Sequence, residues 1–254
     1  MSKLKGKVAL VTGASRGIGR AIARRLAQDG ALVAVHYGAN RGAAEETVRS
    51  VENSGGEAFA IGAELAAPSG VQALFEILDA ELRQRTGGTG FDILVNNAGI
   101  GQYSTIEDIT EDSFNEVMAI NVKAPLFLIQ QALRRMRDGG RIINISSATT
   151  RIAFPNVLAY SMTKGAVNTL TLTLAKQLGA RGITVNAILP GIIDTDMNAA
   201  TLQDPEGRKF AAGLSVFGRW GETGDVADIA AFLASPDSRW MTGQLLDASG
   251  GTAL

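Results

Sequence analysis

The chain is 254 residues long, 46% hydrophobic and 19% charged, and its 24 basic and 25 acidic residues leave a formal net charge of −1. That length and apolar content suit one large core, and the charge balance gives no electrostatic case for nucleic acid or an anionic membrane surface. With no cysteine and a single histidine, His36, disulfides, thiolate metal sites and multi-histidine zinc sites are excluded, and no metal centre is expected.

The basic start is followed by Val8-Ala-Leu-Val11, a run too short for a signal core or a membrane span, so a soluble cytoplasmic protein is expected. From there short apolar runs alternate with longer amphipathic stretches. Strands are predicted at residues 7–12, 32–37, 58–62, 93–96, 141–146, 184–189 and 244–247. Several are apolar at nearly every position, as in Ile142-Ile-Asn-Ile145, the pattern of parallel strands covered on both faces. Helices are predicted at about 17–29, 41–54, 69–85, 112–137, 156–179 and 225–234. The alternation, with right-handed crossovers, predicts an α/β fold: a single-domain, doubly wound, Rossmann-like parallel sheet of seven strands with helices on both faces. No composition shift divides residues 1–254, and Thr86-Gly-Gly-Thr-Gly90 reads as a turn. The stretch at about 192–217 breaks the rhythm. Such an excursion is a substrate lid or a pair of short surface helices, and the two are compatible.

Gly13, Gly17 and Gly19 lie between the first strand and the first helix. Glycine there permits positive φ and lets backbone approach a pyrophosphate, while the helix N-terminus offers unpaired N–H groups. The spacing is Gly-x-x-x-Gly-x-Gly, so the turn, with Ser15, Arg16 and Ile18 between its glycines, reads as a dinucleotide site. An NAD site usually places a carboxylate at the end of the second strand. Here Val35-His-Tyr-Gly-Ala-Asn-Arg41 holds none. With Arg16 and Arg41 able to meet a 2′-phosphate, NADP(H) is favoured over NAD(H), and Tyr37 is placed at the same strand end.

Tyr160 and Lys164 are four apart on a helical pattern, so they share a face. A phenol titrates near pH 10, and bringing it to neutrality takes roughly 4 kcal/mol of differential stabilisation. A neighbouring ammonium favours the phenolate, which would poise Tyr160 as a general acid or base. Ser147 closes the fifth strand and can polarise a substrate oxygen at the same place.

Together with Asn96-Asn-Ala-Gly99, Asn121 and Pro190-Gly-Ile-Ile-Asp-Thr195, these segments occur in the order found in the classical short-chain dehydrogenase/reductase family, which the chain resembles over essentially its full length. The resemblance implies that Tyr160 is the acid/base and that Ser147, thirteen residues before it, is its substrate-polarising partner. Lys164 would lower the phenol and bond the nicotinamide ribose, and Asn121 would anchor a water in a proton relay. Asn97, Ala98 and Gly99 would line the adenosine side, Glu64 and Leu65 the adenine, and Pro190, Gly191, Ile193 and Thr195 the nicotinamide. Glu64 stands where the family often has aspartate, so its adenine contact is one methylene longer. His36 reads as packing, and Trp220 and Trp240 as core or interface. Related enoyl reductases carry the lysine seven positions after the tyrosine; the interval of four here argues against reduction of a carbon–carbon double bond.

The expected activity is NADPH-dependent reduction of a ketone, a 3-oxoacyl thioester or similar carbonyl, to a secondary alcohol. The alternatives are an NAD(P)-dependent dehydrogenase oxidising a sugar, polyol or other secondary alcohol, and a non-catalytic dinucleotide sensor. The small-molecule substrate could be carrier- or CoA-bound, with Arg134, Arg135 and Arg137 as a basic rim or simply a solvated cluster. Gln102 and Tyr103 are placed facing a ligand, and the resemblance implies a homotetramer.

Overall fold

The inner strands of the sheet bury both faces, and the apolar residues divide accordingly. The computed structural model describes residues 2–252. It opens with β1 (Val8–Val11), α1 (Gly17–Gln28), β2 (Leu32–Tyr37), α2 (Arg41–Glu52), β3 (Glu57–Gly62), α3 (Gly70–Thr86) and β4 (Phe91–Asn96). There follow α4 (Glu111–Met118), a π-helical turn (Ala119–Lys123), α5 (Ala124–Ala132), β5 (Met136–Ile145), α6 (Leu158–Leu178) and β6 (Thr184–Pro190). The chain continues through α7 (Ala199–Gln203), α8 (Pro205–Leu214) and α9 (Thr223–Ala234) to β7 (Leu245–Ala248). The strands form one sheet in the order β3-β2-β1-β4-β5-β6-β7, and every pairing is parallel. The expected seven-stranded, doubly wound architecture is therefore the observed one.

Because successive side chains point to opposite faces, Ala9, Val11, Val33, Val35, Ile93 and Val95 pack with Ile22 and Leu26 of α1 and Val226 and Ala230 of α9. Val8, Leu10, Ala34 and Leu94 face the other way and meet Leu74 and Leu78 of α3, Leu128 of α5 and Leu174 of α6. The strand order reverses between β1 and β4, so the loops leaving their C-terminal ends diverge. A crevice must open there, and in open α/β sheets that is where ligands bind.

Two elements differ from expectation. The helix predicted over 112–137 is three pieces: α4 and α5 flank the π turn, and α5 ends at Ala132. Asn121 sits in that turn and is buried, where its amide finds partners outside the helix. The fifth strand begins at Met136 rather than 141, and its register against β4 shifts between Phe91 and Ile93. The excursion after β6 carries a short 3-10 turn, Asp196–Asn198, and then α7 and α8, so it is helical.

Candidate functional site

A cleft of about 810 Å³ opens at the C-terminal ends of β1, β4, β5 and β6, the position that the strand order dictates. One wall is the glycine turn. Gly13 has φ +62°, and a Cβ there would lie 2.8 Å from Ala98 Cα; a Cβ on Gly19 would collide with the Gly13 carbonyl. No side chain larger than hydrogen fits either position. Helix α1 starts at Gly17 with no side-chain cap and no acid in its first turn. Its leading N–H groups are thus left for an anion in the cleft.

The opposite wall is tied to that turn by Thr12, which is fully buried. Its hydroxyl donates to Val95 O (3.2 Å) and accepts from the backbone N–H groups of Asn97 and Ala98 (both 3.0 Å). Asn97 returns the contact, its Nδ2 donating to Thr12 O at 2.9 Å and Gly13 O at 3.0 Å. Gly99 follows close to Lys164: a Cβ there would lie 3.6 Å from its Nζ.

Tyr160 and Lys164 leave the first two turns of α6 toward the cleft, and Ser147 follows β5. The Lys164 ammonium donates to Ile145 O at 2.9 Å and lies 5.4 Å from the centre of the Tyr160 ring. Burial pushes the Tyr160 phenol up to about 12; the Ser147 hydroxyl pulls it down, and Tyr103 adds to the rise. Burial likewise pushes Lys164 down to about 8. The expectation that the ammonium acidifies the phenol is corrected here for the chain by itself. Desolvation is the leading effect on both groups, and the ammonium's direct partner is the Ile145 carbonyl rather than the phenol oxygen. The Ser147 hydroxyl oxygen accepts from Thr149 N at 3.2 Å, which leaves its proton for the cleft.

Asn121 works through its side chain. Oδ1 accepts from Ile100 N at 2.9 Å, while Nδ2 donates to Ile100 O at 3.0 Å and Thr163 Oγ1 at 3.2 Å. Thr163 in turn donates to Tyr160 O at 2.6 Å. The π turn thereby couples the segment after β4 to the first turn of α6.

Of the other residues singled out by sequence, Ser15, Arg16, Gly17, Ile18, Glu64, Leu65, Pro190, Gly191, Ile193 and Thr195 line the cleft. Arg16 reaches across it, Nη1 standing 2.9 Å from Asp196 in the segment beyond β6. Tyr37 and Arg41 lie outside its wall. The Tyr37 ring folds over Gly62, where a Cβ would sit 2.7 Å from its Cζ, and Arg41 turns outward to Glu45 at 2.7 Å. Their places are taken by Gly38, Ala39 and Asn40. The arginine cluster is also remote. Arg135 pairs with Asp79 and Arg137 with Asp92, at the opposite end of the sheet from the cleft, so no basic rim surrounds the mouth from these residues. Trp240 is 96% exposed, away from the core.

The substrate end of the cleft is walled by Ile152, Phe154, Val157, Met197, Phe210 and Leu214, with Phe154 and Phe210 edge to face at 6.5 Å. Gln102 and Tyr103 line it as expected, and the Tyr103 hydroxyl donates to Met197 O at 3.4 Å. The segment 148–157 was not anticipated as a wall. The interval between Ser147 and Tyr160 could have revealed it, because a loop tethered at both ends to cleft residues must border the cleft.

The family model described as "Enoyl-(Acyl carrier protein) reductase" matches residues 13–253. A versicolorin reductase of Emericella nidulans is 40% identical over 98% of this chain and 96% of its own length. The crystal structure of the angucycline C-6 ketoreductase LanV with bound NADP is 52% identical, covering 98% of this chain and 96% of LanV, with a TM-score of 0.95; LanV is also known with NADP and rabelomycin bound. The reductase LugOII, which catalyses keto-reduction at C1 during lugdunomycin biosynthesis, is 53% identical over 99% of this chain and 100% of LugOII, with a TM-score of 0.96. With these relatives and this fold, the chain belongs to the short-chain dehydrogenase/reductase family.

The Thr12 junction gives a direct test. Thr12→Val is nearly isosteric but strands the N–H groups of Asn97 and Ala98, so urea unfolding should register a loss of about 2–3 kcal/mol. A loss under about 0.5 kcal/mol would mean that the hydroxyl does not hold the two walls together.

Proposed function

We propose that this protein reduces a ketone on a polycyclic aromatic substrate to a secondary alcohol, using NADPH, with Tyr160 as the proton donor. The observation that carries the reading is the shared cleft: the glycine turn, half-buried Tyr160, buried Lys164 and Ser147 all open onto one cavity whose far end is apolar and aromatic. LanV, an angucycline C-6 ketoreductase, and LugOII, a promiscuous reductase that catalyses keto-reduction at C1 in lugdunomycin biosynthesis, are similar to this chain along nearly their whole lengths. A flat ring system suits a wall built from Phe154, Phe210, Met197 and Ile152 better than a flexible acyl chain does. The enoyl description of the family model does not carry over as an activity, because Lys164 follows Tyr160 by four positions rather than seven.

The residues fit the dinucleotide. Unpaired N–H groups at the start of α1 await its pyrophosphate, and Gly13 and Gly19 leave the room it needs. Lys164 has two ammonium protons beyond its bond to Ile145 O for the nicotinamide ribose, and Pro190, Gly191, Ile193 and Thr195 would border the nicotinamide ring. When bound, NADPH supplies the hydride that adds to the carbonyl carbon. Ser147 and Tyr160 both donate hydrogen bonds to the carbonyl oxygen, and Tyr160 passes its proton to that oxygen as negative charge develops. With its phenol held at about 12, Tyr160 stays protonated at neutral pH and is still far more acidic than the alcohol it forms. Asn121, through Ile100 and Thr163, holds the frame for reprotonation from solvent by way of Lys164.

Preference for NADP(H) rests on the acid-free end of β2 and on Arg16, which would exchange Asp196 for the 2′-phosphate. Leu126, Phe127 and Leu172 on α5 and α6, and Trp240 before β7, are exposed apolar side chains, and we assign them to the contacts of a homotetramer.

Consumption of NADPH with a panel of hydroxylated polycyclic ketones, aliphatic 3-oxoesters and, in reverse, sugars and polyols with NADP⁺ tests the reading. Turnover should be fastest on the polycyclic ketones and faster with NADPH than NADH, and Arg16→Ala should narrow that cofactor preference about tenfold. Tight NADPH binding with no turnover on any ketone would point to a sensor instead.

Acid–base behaviour supplies a second check. Lys164 loses its charge as pH rises through about 8, and the neutral amine donates more weakly. The kcat/KM for NADPH should therefore fall above about pH 8, and Lys164→Arg, where active, should shift that limb upward. A profile flat to pH 10 would contradict this role for the ammonium.

A further inference from the structure

The one histidine of the chain lies fully inside the junction between the phosphate turn and the adenine side of the cleft, where sequence reading had assigned it only to packing. His36 is 2% exposed. Its Nδ1 faces Gly13 N at 3.1 Å and its Nε2 faces Ala63 O at 3.0 Å, while its own carbonyl accepts from Ala14 N at 2.8 Å. The partners dictate the tautomer. A backbone N–H can only donate and a carbonyl can only accept, so Nδ1 carries the lone pair and Nε2 the proton. The other face of the Gly13 peptide is held by Asn97. The imidazole is thus one of two clamps on the first glycine of the turn, and among the described residues it alone links that glycine by hydrogen bonds to the end of β3, beside Glu64 and Leu65.

We propose that His36 is a positioning residue for the cofactor: its neutral imidazole, in the Nε2–H form, is a rigid strut that sets the spacing between the phosphate turn and the adenine-side loop. The proposal rests on the reading that this turn receives the dinucleotide pyrophosphate. It predicts that His36 governs cofactor affinity and leaves the hydride and proton steps alone, because it touches neither Tyr160 nor Lys164. Protonation would set Nδ1–H against the Gly13 N–H, donor against donor, and force the turn to move. Burial opposes that event and holds the imidazole down to about 4, against a smaller contrary pull from Glu64. Of the remaining ionisable neighbours, Tyr37 on the same strand folds over Gly62. In the turn and α1, Arg16 is engaged by Asp196 and Arg20 by Ser15 O and Thr47.

The test compares NADPH binding by fluorescence titration, and kcat at saturating NADPH, in the wild type, His36→Leu and His36→Asn. Leu fills similar volume without either hydrogen bond, whereas Asn keeps an acceptor for Gly13. His36→Leu should bind NADPH about tenfold more weakly while kcat changes less than about twofold, and His36→Asn should recover part of the affinity. Wild-type affinity in a folded His36→Leu protein, or a kcat that falls as far as the affinity, overturns the proposal. Wild-type protein that binds no NADPH refutes the underlying cofactor reading and the proposal with it. Should the Leu variant not fold, ¹⁵N NMR of the wild-type ring decides, since a single histidine makes the assignment unambiguous. An unprotonated Nδ1, unchanged from pH 8 to pH 5, is the expected spectrum. Titration near pH 6.5, the ordinary histidine range, or a proton on Nδ1, contradicts the strut.

Discussion

A single buried hydroxyl holds the site open. Where β1 and β4 part, the chain must turn in opposite directions from adjacent strand ends, and both turns expose backbone polar groups that water cannot reach. Thr12 answers this by serving Val95, Asn97 and Ala98 at once, and Asn97 reciprocates through its amide. Every later feature of the cleft is referenced to this knot. The glycine turn leans on Ala98, the segment through Gly99 carries Ile100 to Asn121, and Asn121 reaches α6 through Thr163. Tyr160 and Lys164 on α6 and the glycine turn after β1 thus belong to one hydrogen-bonded frame, the preorganisation that the proposed chemistry would require.

Within that frame the same burial that positions Tyr160 and Lys164 also sets their chemistry. Desolvation favours the neutral form of each, raising one and lowering the other. In the proposed reduction, such a phenol would give up its proton only to a stronger base, the nascent alkoxide.

The strands and most helices were legible because a doubly covered parallel sheet leaves long apolar runs, such as Val8–Val11, with little ambiguity. Where reading failed, a side chain's partner was nonlocal. The 112–137 pattern looked continuous because a π turn leaves the chain helical across the junction, and the first residues of β5, Met136-Arg137-Asp138-Gly139-Gly140, carry little apolar signal at a strand edge that is largely exposed. Tyr37 was placed at the cofactor from its position at a strand end, yet alternation puts it and His36 on opposite sides, and it was the neighbour that turned inward. The Tyr160–Lys164 spacing predicted proximity correctly. It could not reveal that Ile145 O would take the ammonium, nor how much desolvation would offset the attraction. The set Thr12–Gly19, Asn96–Gly99, Ser147 and Tyr160–Lys164 was nevertheless brought together as its order along the chain implied.

The most direct measurement removes one oxygen atom. Tyr160→Phe keeps the ring and its packing, so NADPH should still bind within about threefold of the parent protein, while reduction of a responsive ketone should slow by about 10²–10⁴-fold. Undiminished reduction by a folded, cofactor-binding Phe variant would show that the proton reaching the new alcohol comes from somewhere else.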